Sequence, residues 1–432
     1  MRAEDTARSL RAIGRPALAA IVDADGETPL LDYAARLHAH TPDGPLEPAL
    51  AAAFRGELTR LGHPEITVSA AMADLERRRV LQTATHVTVS EGPIFLAMHR
   101  LATIGLDPSI PYLVGACSGI PFSNDAHPGC LNLGRRYPLS AVLEPGSPAY
   151  RARVRARAAA EQKAPPDQRI SMIPWAMRDA SVFHAAIPAV TLEVRAALRA
   201  EIRAVVPEAH TGAPFVPWAL ATASALMRPC LDRAPVYLDL NAVVARYLET
   251  ALDDGRHPLH RLLFNPSTRA RVLCALPPMP LFTTARGPRG LFEPLRAEGD
   301  SLRGPHGERP LTPSSVLDGL REGQLCPGVY LVFAALALQN GFRCLGGVDQ
   351  VEYLPLLRAA AAAASISMGF LTPSAAVSVD ALTTGRTEDP RGEAIHPLDV
   401  ILGTPLPSLE GLTLHRFLTP QLPRLLRRPF PG

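Results

Sequence analysis

The sequence predicts an α/β protein with a parallel-sheet core, a helical N-terminal layer and helical insertions. Three stretches predict it. Apolar residues from Arg78-Arg79-Val80-Leu81 lead through a hydroxyl-rich segment into Gly92-Pro93 and a helix. Ile110-Pro111-Tyr112-Leu113-Val114 follows as a second apolar strand, completing a strand–helix–strand unit whose crossover is almost always right-handed and parallel. Val236-Tyr237-Leu238-Asp239-Leu240, again with a helix after it, repeats the pattern. The expected core is therefore a parallel sheet built from βαβ units.

At 432 residues the chain has room for two or three domains or one large elaborated one. Its elements divide into a helical N-terminal layer at 1–79 and a first half of the core at 80–146. A helical connecting insertion follows at 147–233. The second half of the core, with a hairpin and C-terminal helices, occupies 234–432.

Residues 5–20, 29–38 and 47–61 carry apolar side chains at helical spacing, and Thr67 or Ser69 can cap a fourth helix through Arg77. The first strand runs toward Thr83-Ala84-Thr85-His86-Val87-Thr88-Val89-Ser90-Glu91, with His86 at the strand-to-loop edge. Pro93 suits a first helical position, because its missing N–H would be unpaired there. The free N–H groups of that helix start make the loop a seat for an anion. The second strand opens into a loop at 115–130, at the same sheet edge. Residues 151–163 read as a charged helix. Residues 281–286 and 290–296 alternate around Gly287-Pro288-Arg289, a hairpin signal. Thr312 caps a short helix through Arg321, and Pro327 starts an apolar helix to Asn340. Arg343-Cys344-Leu345 leads to Gly346-Gly347 and a helix through the alanines at 359–364. Residues 382–393 read as a polar loop, and the tail from Pro405 is proline-rich.

Composition excludes several functions. A net charge of +3 is too small to argue for nucleic acid. Lys163 is the only lysine, so there is no Gly-Lys-Ser/Thr phosphate loop and no lysine-rich loop to close over ATP. A pyridoxal phosphate enzyme would have to use Lys163, which lies in the polar run Glu161-Gln162-Lys163-Ala164-Pro165-Pro166 rather than a dry pocket. His127 and Cys130 are spaced as half a zinc site with no second half, so no metal is expected. The six cysteines are scattered and residues 1–15 lack an apolar leader, which predicts free thiols in a bacterial cytoplasm. The longest apolar run, 329–338, is half a membrane span, so no membrane partner is expected. The oligomeric state stays open.

The candidate chemistry gathers where the loops meet. His86 and His99, with Thr85, Thr88, Ser90 and Gly92, lie at a strand's carboxyl end beside a helix start. Imidazole suits acid–base work near neutral pH, so His86 and His99, with Asp125, are the candidate catalytic residues. Cys117, Ser118 and Asn124 on the second loop are candidate substrate contacts. So are Gly346, Gly347, Asp349, Gln350 and Glu352, since a glycine pair lets the backbone approach a ligand. Arg286, Arg289 and Arg303 form either an anion clamp or a solvated basic turn. Gly115-Ala116-Cys117-Ser118-Gly119 spells a nucleophile elbow with cysteine. Ile120-Pro121 resists the helix an elbow feeds, so an unreactive thiol is favoured. A hydrolase or acyltransferase using Cys117, with His127 or His86 as base, is the alternative.

The stretch 83–99 resembles the cysteine-adding ligase family of bacillithiol synthesis (bacillithiol synthase). Thr83-Ala84-Thr85-His86 stands where that family has a Thr-Gly-Gln-Gln-type loop, Gly92-Pro93 matches its Gly-Pro, and His99 falls at its basic position. Leu311-Thr312-Pro313-Ser314-Ser315, Leu325-Cys326-Pro327, Gly346-Gly347 and Glu352-Tyr353 are similar in order to its C-terminal motif. Where the family has an acidic cluster after the second strand, this chain has Cys117-Ser118-Gly119-Ile120-Pro121-Phe122-Ser123-Asn124-Asp125.

The resemblance implies a Rossmann-like core and a cytoplasmic enzyme that joins an amino acid to a small carboxylate, here a divergent one of specialised metabolism. It implies small-molecule substrates and leaves room for a nucleotide. In that role His86 and His99 would bind or protonate the leaving oxygen, and the helix start would hold a carboxylate or phosphate. Ser118, Asn124 and Asp125 would recognise the amino acid. A non-catalytic binding protein on the same fold is a further alternative.

Overall fold

The computed structural model describes residues 2–42, 44–120, 173–176, 180, 204–231, 233–276, 279–286, 290–365, 381–427 and 430. Asn124, Asp125, His127, Cys130, Lys163, the helix expected at 151–163 and the turn at 287–289 lie outside the described residues, as does most of the insertion at 147–233.

Five helices come first: α1 (Ala3–Ala12), α2 (Pro16–Asp25), α3 (Leu30–His38), α4 (Pro48–Arg60) and α5 (Glu65–Arg77). The single helix expected over 5–20 is two. Gly14 takes φ +77°, a left-handed angle glycine adopts without steric cost, and Pro16 opens α2. The break turns Arg15 inward, where it is 1% exposed. The start of α5 has no side-chain cap, so neither Thr67 nor Ser69 plays that part.

The strands are β1 (Val80–His86), β2 (Leu113–Cys117), β3 (Val236–Asp239), β4 (Phe282–Arg286), β5 (Leu291–Glu298), β6 (Ser301–Gly304), β7 (Gly307–Pro310), β8 (Cys326–Pro327) and β9 (Arg343–Leu345). Between them lie α6 (Pro93–Ile104), α7 (Phe215–Met227), α8 (Leu240–Ala251), α9 (Pro258–Phe264), α10 (Pro266–Cys274), α11 (Pro313–Arg321) and α12 (Val329–Phe333), and α13 (Gln350–Ser365) follows β9. Residues 334–339 continue α12 as a π-helical turn. Three short C-terminal helices complete the chain: α14 (Pro397–Ile401), α15 (Leu414–Leu418) and α16 (Leu422–Leu425).

The core sheet is four-stranded and wholly parallel, in the order β3-β2-β1-β9. Alternate side chains enter different apolar cores, as the two-residue period of a strand requires. Leu81, Leu113, Leu238 and Cys344 join the core built with α4, α5 and α8. Val80, Val114, Tyr237 and Leu345 join the core built with α1 to α3, α6 and α7. Helices thus cover both faces, with α6 and α7 on one and α8 on the other.

Strand β2 begins three residues later than expected, after Pro111, which has no N–H to give to a neighbouring strand. Gly115 is inside it because α8 passes close by: a Cβ there would sit 2.5 Å from Leu240 Cγ. The shift makes Cys117 the last strand residue, paired in register with His86, and not the tip of an elbow. Strand β3 ends at Asp239, whose side chain caps α8 by accepting from Asn241 N at 3.0 Å.

A second sheet is antiparallel, in the order β7-β6-β5-β4-β8. The expected hairpin arms pair from Phe282 with Leu295 to Arg286 with Leu291. The β6–β7 hairpin was not foreseen; its strands have only four residues each. Thr312 caps α11 as expected, accepting from Ser315 N at 3.3 Å. Among the described residues no helix is long and apolar enough to cross a membrane.

Candidate functional site

A cavity of about 450 Å³ opens at the carboxyl ends of β1 and β2 and beside the turn after β9. Successive strands step from β1 to β2 to β3 in one direction, whereas β9 lies on the other side of β1. The strand order thus reverses between β1 and β9, the position at which parallel sheets open a crevice.

Of the residues picked out in the sequence, His86, Thr88, Ser90, Gly92, Cys117, Gly347, Asp349 and Gln350 line this cavity. His86 is half-buried, its ring 6.3 Å from that of Phe95. Thr88 Oγ1 donates to the Ser90 carbonyl at 3.3 Å, which folds the turn that delivers the chain to Pro93. Gly92 sits at φ −88°, an ordinary angle, and a Cβ there would meet nothing within 4 Å. Its value is space rather than backbone freedom. Gln350 is fixed by two hydrogen bonds: Nε2 donates to the Cys344 carbonyl at 3.0 Å, and Oε1 accepts from Thr83 Oγ1 at 3.1 Å.

Five other picked residues have different tasks. His99 is fully buried, 2.6 Å from Glu91 Oε2 through Nε2 and 2.8 Å from the Tyr112 hydroxyl through Nδ1. The Tyr237 hydroxyl lies 3.3 Å from the same Nε2. Burial pushes both phenols well above their usual range, so they enter this network as neutral hydroxyls. His99 therefore anchors Glu91, the residue before Gly92, and does not reach the cavity. Thr85 is buried with no partner for its hydroxyl among the described residues. Ser118 turns away to donate to Asp239 Oδ1 at 2.8 Å.

Gly346 makes room for Gln350, whose Cδ would lie 2.1 Å from an added Cβ. Glu352 caps α2, accepting from Ala17 N at 3.2 Å and Leu18 N at 2.9 Å. Burial raises its carboxyl, and those two N–H groups oppose the rise. Arg303 pairs with Glu298 and Glu308 on the second sheet, and neither it nor Arg286 lines the cavity.

The structure also brings in residues the sequence did not single out. Arg15, Thr384, Arg386, Gln421 and Arg424 line the cavity. Arg15 Nη1 reaches Asp349 Oδ1 at 2.9 Å. The start of the polar loop expected at 382–393, with Ala381 before it, runs beside β9. Gly346 N donates to the Ala381 carbonyl and Thr383 N to the Gly346 carbonyl, both at 2.9 Å, and Thr387 N reaches the Pro93 carbonyl at 3.0 Å. Thr384 Oγ1 donates to Gln421 Oε1 at 2.7 Å, and Arg386 pairs with Glu388. The only local signal was the run Thr383-Thr384-Gly385-Arg386-Thr387, whose alternation of hydroxyl, glycine and arginine suits an anion.

The cavity has two characters. Phe95, Met98, Ile120, Met279, Phe333 and Tyr353 make an apolar wall. Its described lining residues include three guanidiniums, of which Arg15 pairs with Asp349 and Arg386 with Glu388. Cys117 lines the cavity with a thiol pushed up to about 12, first by burial and then by the nearby Asp239 carboxylate. Near neutral pH it is a thiol, and the thiolate is the nucleophilic form. Among the described residues no group of three or more His, Cys, Asp or Glu side chains is placed to hold a metal ion.

Comparison with protein-family models, with curated proteins and with solved structures finds no match to this chain.

Proposed function

We propose that the protein is a small-molecule enzyme working in this crevice, of ligase-like type, joining an amino acid to a small carboxylate or related acceptor. The observation that carries the reading is the cavity itself: an apolar wall and an arginine-bearing rim meet at the carboxyl ends of parallel strands, with a half-buried imidazole among the lining groups. The strand order β3-β2-β1-β9, with helices on both faces, supports a Rossmann-like core.

The anionic group of the substrate, or a phosphate on it, falls to Arg386, Arg424 and the first-turn N–H groups of α6. Amide formation joins the amine nitrogen to the carboxyl carbon and expels an oxygen. His86, among the lining groups, takes the amine proton or delivers one to that oxygen. A nucleotide, where one takes part, would place its phosphates on the same guanidiniums. The raised Cys117 thiol speaks against the cysteine-hydrolase alternative.

The test is product formation. The purified protein is incubated with single amino acids and small carboxylates, with and without ATP, and products are sought by mass spectrometry at the summed mass less water. The reading expects one pair to give product, and His86→Ala to abolish it while the protein stays folded. No product from any pair, or undiminished product with His86→Ala, would overturn it.

A further inference from the structure

A second cavity, of about 240 Å³, lies at the carboxyl ends of β2 and β3. Cys117 lines the first cavity and Ser118, the next residue, lines this one. The two spaces therefore flank the end of one strand. Trp175, Val216, Pro217, Leu320 and Leu325 give it apolar walls, and Asp239 is among its lining groups.

Asp239 is 4% exposed, and among the described residues its side-chain hydrogen-bond partners are neutral donors. Oδ1 accepts from Ser118 Oγ at 2.8 Å and from Asn241 N at 3.0 Å. Asn241 is itself fixed, donating through Nδ2 to the Pro327 carbonyl at 2.7 Å and accepting from Gly119 N at 3.1 Å. Among the described residues no cation stands within ion-pair distance of Asp239. Arg60 lines the cavity but is committed to Glu57, with Nε and Nη2 each 2.7 Å from a carboxylate oxygen. Arg246 Nη1 also faces Glu57, at 3.8 Å. A buried carboxylate without a cation is costly, and a ligand carrying one removes the cost.

We propose that Asp239, with Ser118 and Asn241 holding it in place, forms a second ligand site that takes a small organic cation: a primary ammonium on a short apolar body. The apolar walls accept the body, and the carboxylate accepts the ammonium. A bare metal ion fits poorly, because Asp239 is the only carboxylate lining this cavity among the described residues. The Trp175 indole N–H, buried with no acceptor among the described residues, adds a donor for an oxygen on the same ligand. The proposal stands apart from the reading of the first cavity, since it uses none of the residues that line it.

The acid–base behaviour of the site agrees with this geometry. Burial first, and then repulsion from Glu57, raise the Asp239 carboxyl to about 7, while Ser118 and Arg60 pull it down. Two thiols, Cys117 on β2 and Cys326 on β8, also face Asp239. Both are raised by burial and stay neutral through that range. Cation binding therefore strengthens as pH rises through about 7, where the carboxylate forms and an alkylammonium is still charged.

The experiment titrates the full chain with methyl-, butyl- and benzylammonium, and with benzyl alcohol as the uncharged match of the last, by calorimetry at about pH 6 and about pH 8. At least one ammonium is expected to bind, about tenfold or more tighter than benzyl alcohol and tighter at the higher pH. Asp239→Asn keeps an oxygen to accept from Ser118 and Asn241 and is expected to lose both preferences. If Asp239→Asn fails to fold, the wild-type preference for charge and its pH dependence decide alone. Failure of all three ammonium ions to bind, binding equal to that of benzyl alcohol, or binding indifferent to pH would each overturn the proposal. So would unchanged binding by a folded Asp239→Asn protein. Product formation in the first cavity has no bearing on any of these outcomes.

Discussion

Arg15 Nη1 and Asp349 Oδ1 lie 2.9 Å apart, although 334 positions separate them in the chain. Arg15 is 1% exposed at the side chain and Asp349 45%. The contact pins the break between α1 and α2 to the turn that follows β9, and Glu352, capping α2, pins it again. Arg15, at the break between the first two helices, is thereby part of the cavity wall. Asp349→Ala removes a carboxylate from a buried guanidinium and is expected to cost about 1–3 kcal/mol of stability. Urea denaturation of the variant beside wild type measures it.

The two histidines of the 83–99 stretch are expected to behave in opposite ways. His99→Phe keeps the ring volume but strands Glu91 and the Tyr112 hydroxyl in the interior, so about 3 kcal/mol of stability is lost. His86→Ala alters a half-buried side chain at the cavity and costs about 1 kcal/mol or less, while removing the proposed proton carrier. Denaturation midpoints for both variants, set beside turnover for His86→Ala, separate the anchor from the cavity residue.

The cysteines divide by access. Of the five whose surroundings are described, Cys274 is exposed and Cys117, Cys230, Cys326 and Cys344 are buried. Iodoacetamide on the folded protein is expected to label Cys274 and spare the other four, which react only after unfolding. Peptide mass mapping reads this directly. Rapid labelling of Cys117 in the folded state would revive the thiol-dependent alternative.

Asp239 makes the stability of the unliganded protein depend on pH. A carboxyl raised on folding holds its proton more tightly in the folded state. The stability this gives is complete below the unfolded value of about 4 and is lost as pH rises through about 7. His38, which burial lowers to about 4, works the other way, so the wild-type curve mixes the two. The stability of Asp239→Asn relative to wild type is expected to rise between about pH 4 and about pH 7 and then level off. Denaturant titrations of both proteins across that range give the difference.

What the sequence could and could not show follows the range of the interactions. The Thr312 cap, the Gly92-Pro93 helix start and the hairpin arms at 282–295 depend on neighbours a few positions away, and they were legible. Strand β2 was misplaced by three residues: it starts after Pro111 and runs on through Gly115, where the close approach of Leu240 leaves no room for a side chain. That shift moved Cys117 out of a loop. His99 looked catalytic because its type and helical position fit the task. Its partner Glu91 is eight residues away but Tyr237 is 138 away, and only the fold joins them. Arg15, Arg386 and Arg424 were missed because each reaches the crevice from a segment remote from the 83–99 stretch. Asp239 was read inside a strand continuing to Leu240, whereas the strand ends at Asp239. That no cation among the described residues pairs with it appears only when α4 places Arg60 on Glu57.

The glycines give the most direct test of the crevice. Gly346 has no room for a side chain, so Gly346→Ala would only disturb Gln350. Gly92 has room, and Gly92→Phe extends a ring from the lining of the crevice without strain on the backbone. The decisive measurement is the melting temperature of wild type and Gly92→Phe against amino acids, small carboxylates, ATP, ADP and AMP. A ligand that binds only the folded state raises the melting temperature by mass action. A crevice site predicts that at least one of these compounds raises it for wild type and leaves Gly92→Phe unmoved, with the unliganded proteins melting within a few degrees of each other. No shift for wild type with any compound, or an equal shift for both proteins, would contradict it.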